Sequence, residues 1–129
     1  MLVNLEINRE NLKGNLEKIR SINKNIVCVI KDNAYGLGIE NVFPILLENN
    51  CNYFAVAYIE EAIKIFEILK KFEKEKKLNF LKNKKIEIMA LNYIEPKNLK
   101  YVIENNVEFT IFNFPQLSDY LKILDKSFE

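Results

Sequence analysis

Apolar positions along this chain switch repeatedly between two spacings. Short runs that are apolar or alternate in sequence recur at Leu2–Ile7, Ile26–Ile30, Tyr53–Ala57, Ile86–Leu91 and Glu108–Phe112. Their length and content predict strands. Between them, apolar residues return every three or four positions, which predicts helices with one buried face. Leu12, Leu16, Ile19 and Ile22 form the first such stripe, with Asn8 placed to cap it. Ile39, Val42, Phe43, Leu46 and Leu47 form the second, closed by Asn49-Asn50, residues that tolerate a left-handed cap. Ile59, Ala62, Ile63, Phe66, Leu69 and Phe72 form a long third stripe. Pro96 suits a first helical position ahead of Leu99, Val102 and Ile103. Asn113 and Gln116 resemble a capping pair ahead of Leu117, Tyr120, Leu121 and Leu124.

Four strand–helix units in a row predict an α/β fold with parallel strands and right-handed crossovers. The near-continuous apolar strands agree, since a parallel sheet is covered on both faces. A small open sheet fits this order, and so does half of an eight-stranded βα barrel, which as a whole takes about 250 residues. No solenoid repeat and no Gly/Ser linker divides residues 1–129, so they read as one domain.

Composition narrows the function more by exclusion than by suggestion. With 129 residues and 49% hydrophobic content the chain carries enough apolar surface for a core. Nineteen basic and eighteen acidic residues give a net charge of +1, which makes no electrostatic case for nucleic acid. No apolar run approaches the roughly 20 residues of a membrane span. The start, Met1 to Glu6, lacks the basic and apolar regions of a signal peptide, so cytoplasm is the expected location. The chain has no histidine, which removes Ser-His and Cys-His nucleophile pairs and every histidine-bearing zinc site. Two cysteines, Cys28 and Cys51, make no disulfide framework, and Cys28 reads as a thiol packed in a strand. The lysine-rich stretch from Lys70 to Lys85 is interleaved with Glu73 and Glu75 and reads as solvated surface.

The candidate chemistry sits at the end of the second predicted strand. Ile26-Val27-Cys28-Val29-Ile30 runs straight into Lys31-Asp32-Asn33-Ala34-Tyr35-Gly36-Leu37-Gly38. A lysine leaving an apolar strand is partly desolvated, which favours its neutral, nucleophilic form. Gly36 and Gly38 allow a tight turn and a close backbone approach to a phosphate. Tyr35 offers a hydroxyl that could reach that phosphate. Asn33 reads as a turn cap. Met89 and Leu91 end a strand on the face where barrel active sites lie, yet read as core. Gly36-Leu37-Gly38 lacks the third glycine and the acidic residue of a dinucleotide loop.

The segment K-x-N-A-Y-G-x-G resembles the cofactor-lysine motif of the alanine racemase family. The likeness extends along the chain. Leu5-Glu6-Ile7 with Asn11-Leu12, Phe54-Ala55-Val56-Ala57 with Glu60-Glu61-Ala62, Ile88-Met89-Ala90-Leu91 with Asn92, Tyr93 and Pro96, and Phe109-Thr110-Ile111-Phe112 with Gln116-Leu117 follow in the family's order. The resemblance implies a fold-type III enzyme, with an N-terminal βα barrel that holds pyridoxal 5'-phosphate. It implies interconversion of L- and D-alanine for cell-wall peptidoglycan, and a homodimer for the full-length protein. By the motif, Lys31 corresponds to the Schiff-base lysine and to one of two proton-transfer groups. Tyr35 corresponds to a phosphate-contacting tyrosine. The second proton-transfer group, the arginine at the pyridine nitrogen and further phosphate ligands lie downstream in the family. These 129 residues therefore resemble the first half of the barrel domain, incomplete and expected to be inactive alone. Asp32 stands where the family usually has alanine, and Leu37 where it usually has histidine. Two other readings share the lysine: a non-catalytic pyridoxal-phosphate module, like the single-domain relatives of this barrel, and an inert truncated product.

Overall fold

A computed structural model describes residues 3–75 and 85–127. Its sheet has four parallel strands in the order β1-β2-β3-β4: Cys28–Val29, Tyr53–Val56, Glu87–Ala90 and Val107–Phe109. Each strand pairs with its successor, with Cys28 opposite Phe54, Phe54 opposite Ile88, and Ile88 opposite Val107. A doubly wound sheet reverses its order at a switch point. This sheet does not, and its sequential order is that of a βα barrel.

Alternation of side chains divides the sheet into two unlike faces. Phe54, Val56, Ile88, Ala90 and Val107 point to one face and are buried. That face is covered by helices α1 (Arg9–Ile22), α3 (Ile39–Glu48), α4 (Ile59–Lys74), α5 (Leu99–Glu104) and α6 (Phe114–Ser127). Val29, Met89 and Glu108 share the other face, where Val29 and Glu108 are exposed and Met89 is half-buried. On this second face the Tyr53 hydroxyl donates to Glu108 Oε2 at 2.5 Å. That hydrogen bond pushes the Tyr53 phenol up to about 12, helped by burial and by the charges of Glu108 and Glu87.

The sequence reading changes at three places. Residues 3–8 form no strand: Val3 and Leu5 are exposed, and no neighbouring strand among the described residues offers them backbone partners. The run Ile26–Ile30 yields a two-residue strand, and Val27 and Val29 are more than 40% exposed, because one face of the sheet is open. The fourth strand ends at Phe109, so Ile111 and Phe112 lie beyond it and are exposed. Most of the stretch Lys70–Lys85 lies outside the described residues.

The predicted caps are present. Asn11 N–H donates to Asn8 Oδ1 at 2.9 Å, and Gln116 N–H donates to Asn113 Oδ1 at 2.8 Å. Asn50 takes the left-handed conformation after α3. Pro96 opens a short 3-10 turn, Pro96–Asn98, ahead of α5. No helix among the described residues is long and apolar enough to cross a membrane.

Candidate functional site: a lysine on a left-handed turn

Lys31 stands at the C-terminal end of β1, where a βα barrel gathers its reactive groups. Ile30, before it, is buried and still tied to the sheet, its N–H donating to the Ala55 carbonyl at 2.9 Å. Lys31 itself is half-buried. The next four residues, Asp32, Asn33, Ala34 and Tyr35, all have φ between +52° and +55°. Together with Lys31 they make α2 (Lys31–Tyr35), a short turn that is left-handed from Asp32 onward. Asp and Asn visit this region readily, but a left-handed helical residue otherwise costs roughly 1–2 kcal/mol. The side chains of Ala34 and Tyr35 do not favour that region; the turn is closed by its own backbone hydrogen bonds, such as Ala34 N–H to the Ile30 carbonyl at 3.0 Å and Leu37 N–H to the Ala34 carbonyl at 3.1 Å, and is held further by side chains.

The holding groups come from α4 and from the turn itself. Glu61 is the hub. Its Oε1 accepts the Asn33 N–H at 3.0 Å. Its Oε2 accepts the N–H groups of Ala57 at 2.8 Å and Tyr58 at 3.3 Å, where β2 passes into α4. One carboxylate thus fastens the turn after β1 to the turn after β2. Asn33 does the same toward α3: its Oδ1 accepts the Ile39 N–H at 3.0 Å and the Lys64 ammonium at 3.2 Å. Lys64 also pairs with Glu40 at 2.8 Å, which holds the Glu40 carboxyl below its usual range. Ala34 packs into the core as the turn's apolar anchor.

The glycines close this turn rather than create it. Gly36 has φ +85° with open space where a Cβ would stand, so only its backbone angle calls for glycine. At Gly38, φ is +90°, and a Cβ would come within 2.7 Å of Asn41 Nδ2. Asn33 is structural, as its residue type suggested. Glu61 and Lys64 were not singled out from sequence. The signal for Glu61 was its place three residues after the helix entry at Tyr58, the spacing of a capping box.

Tyr35 is 62% exposed and lines an apolar groove of about 390 Å³ between α1, β1 and α3. A second cavity, of about 370 Å³, lies at the ends of β2 and β3 and is lined by Tyr58, Glu60, Asn92, Tyr93 and Glu95, among others. Met89 and Leu91 are half-buried rather than plain core. The turn carries an amine and a phenol on one strained segment, and the adjoining mouth adds two further phenols, Tyr58 and Tyr93.

The chain as a whole is similar to known proteins. The family model described as alanine racemase, N-terminal domain, matches residues 7–128. The alanine racemase of Fusobacterium nucleatum is 48% identical over 65 residues, which are 49% of this chain and 18% of that protein. The alanine racemase of Borreliella burgdorferi is 40% identical over 74 residues, 56% of this chain and 19% of that protein. Among solved structures, the alanine racemase of Bartonella henselae with covalently bound pyridoxal phosphate superposes with a TM-score of 0.72 at 22% identity, over 95% of this chain and 31% of that one. A histidine racemase from Leuconostoc mesenteroides reaches a TM-score of 0.73 at 15% identity, over 92% of this chain and 29% of that one. The chain spans about a fifth or less of the curated relatives it matches, and under a third of the solved ones. With the family model covering nearly its whole length, this chain belongs to the alanine racemase N-terminal domain family.

Proposed function

We propose that residues 1–129 are the cofactor-anchoring part of a pyridoxal-phosphate-dependent alanine racemase, an incomplete barrel domain in which Lys31 carries the cofactor. The observation that supports this most is the lysine's setting: a half-buried amine at the C-terminal end of β1, on a turn held in a costly conformation by Glu61 and Asn33. Strain that the surroundings must maintain is characteristic of functional segments. The residues present fit the group. Lys31 is a primary amine with no ion-pair partner among the described residues, and the exposed Tyr35 hydroxyl is open to a phosphate oxygen.

Pyridoxal phosphate, when bound, supplies an electron-accepting ring that makes the α-proton of an amino acid acidic. This chain's part is to hold one end of that system still. Lys31 Nζ is the attachment atom and, once free, the base that takes or returns the α-proton from one face. The Glu61 clamp fixes where Nζ can reach, since a catalytic base must lie within hydrogen-bond distance of its proton. Inversion needs a second proton-transfer group on the opposite face, which we expect from a partner subunit of the full-length homodimer. The 129 residues alone are therefore expected not to racemise alanine. Supply of D-alanine for peptidoglycan and a cytoplasmic location complete the proposal.

Borohydride reduction in the presence of pyridoxal phosphate, followed by peptide mass analysis, tests it. The adduct is expected on Lys31 and lost in Lys31→Arg, whose guanidinium stays protonated. Labelling of another lysine instead, or of none, overturns the assignment.

A further inference from the structure

Cys28 and Cys51 lie outside the lysine turn and are used by none of the chemistry above. Neither is in a disulfide. They meet between the end of α1, strand β1 and the turn from α3 into β2. Cys28 projects from the helix-covered face of β1 and is half-buried, and Cys51, just before β2, is 2% exposed. Cys28 pairs in register with Phe54, three residues on from Cys51, and the two thiols are near enough to perturb each other. From the last turn of α1, Arg20 Nη2 donates to Cys51 Sγ at 3.3 Å. Arg20, Lys24 and Cys51 also line one polar pocket of about 390 Å³.

We propose that this pair is a peroxide-sensitive dithiol, in which Cys51 is oxidised first and Cys28 then closes a Cys28–Cys51 disulfide. A guanidinium against one sulfur favours its thiolate, and thiolate is the reactive form. The same asymmetry appears in the acidity of Cys28. Its thiol is pushed far above the usual range by the hydrogen bond to Cys51, then by burial and by Cys51's charge, with Arg20 opposing. It is Cys51, the sulfur in contact with the guanidinium, whose thiolate the site favours. A hydroperoxide is the oxidant class because its smallest member is close to water in size, which suits a sulfur so little exposed.

In the first step Cys51 thiolate attacks one peroxide oxygen. The S–O bond forms, the O–O bond breaks, and hydroxide leaves. In the second, Cys28 sulfur attacks the resulting Cys51 sulfenic acid. The S–S bond forms, the S–O bond breaks, and the departing hydroxide takes up the Cys28 proton as water. Two thiols lose two electrons, and one peroxide is reduced. The disulfide would tie β1, three residues ahead of Lys31, to the turn that precedes β2.

The experiment treats the full chain with about one equivalent of hydrogen peroxide and analyses it without reduction. The expected product is a peptide pair linked through Cys28 and Cys51, lighter by two hydrogens. It should be reversed by dithiothreitol and accompanied by a rise of about 5–10 °C in Tm. In Cys28→Ser, dimedone should trap a sulfenic acid at Cys51. Arg20→Gln should slow loss of the Cys51 thiol about tenfold, the effect of one unit in its pKa. The linked peptide is read on the unaltered protein, so poor folding of a variant leaves the test intact. Cysteines that oxidise independently, pair only between molecules, or survive as thiols would overturn the proposal.

Discussion

The turn after β1 and the turn after β4 stand at the same end of the sheet and are held by opposite means. After β1, a left-handed run closed by its own backbone hydrogen bonds is fixed by charged groups borrowed from α4, Glu61 and Lys64. After β4, the backbone is unstrained and the fastening is neutral and buried. Gln116 Oε1 accepts the Phe112 N–H at 2.7 Å, and its Nε2 donates to the Tyr120 hydroxyl at 3.0 Å. Tyr120 in turn donates to the carbonyl of Ile94, beyond β3, and stacks edge-on against Phe109. Burial raises the Tyr120 phenol above its usual value, so it stays protonated and donating. Both turns join two neighbouring βα units. Only the first displays a candidate nucleophile, and only the first is left-handed. A strained turn with an external clamp sets the direction of one amine, whereas a buried neutral network serves packing.

Glu61→Ala should break the contrast most. It leaves three backbone N–H groups, those of Asn33, Ala57 and Tyr58, without their acceptor. Hydrogen bonds to a charged group contribute about 1.5–3 kcal/mol each, less where water can replace them. A net loss of about 3 kcal/mol is expected, or a fall in Tm of about 10 °C. Amide hydrogen exchange should show the loss concentrated at Asn33, Ala57 and Tyr58. Uniform loss of protection would mean that the two turns are not held separately. Glu61→Gln keeps one acceptor oxygen and should fall between the variant and the parent.

Tyr120→Phe tests the other turn. The ring and its packing remain, but the Ile94 carbonyl and Gln116 Nε2 lose a partner in a buried site. About 1–2 kcal/mol of stability should go, with exchange changes at Phe112 and around Ile94 and none at Asn33. An equal change at both turns would show a single cooperative mouth.

The β4 turn was the more legible of the two. Asn113 and Gln116 carry a capping spacing that any reader of the sequence meets, and Tyr120 falls on the helix's apolar stripe. The position of Lys31 was legible for a similar reason, since an apolar strand points to its own end. The conformation after it was not. Gly36 and Gly38 drew the turn toward themselves, but it is Asp32 to Tyr35 that wind left-handed, and a propensity argument would never put Ala34 and Tyr35 there. What holds them is a carboxylate 28 residues further on from Asn33, a tertiary contact with no local trace. The first strand was lost on the same principle: Val3 and Leu5 have the right residue types, and a strand also needs a neighbour.

The smallest effect concerns the outer part of the clamp. Glu40 has its carboxyl lowered below the usual 4.5, chiefly by its hydrogen bond from Lys64. A depressed carboxyl binds its proton less readily in the folded state than in the unfolded one. Its contribution is therefore fully present above about pH 4.5, and it is lost as pH falls through the lower, folded value. Both side chains are more than 40% exposed, so solvent and salt screen the pair, and the contribution is at most a few tenths of a kcal/mol. Glu40→Gln should flatten that small acid-side slope in Tm and leave stability near pH 7 almost unchanged. Lys64→Met should do slightly more, because it also removes a donor to Asn33 Oδ1. A drop of more than about 1 kcal/mol for Glu40→Gln would show that the charge network, rather than Glu61 alone, keeps the turn left-handed.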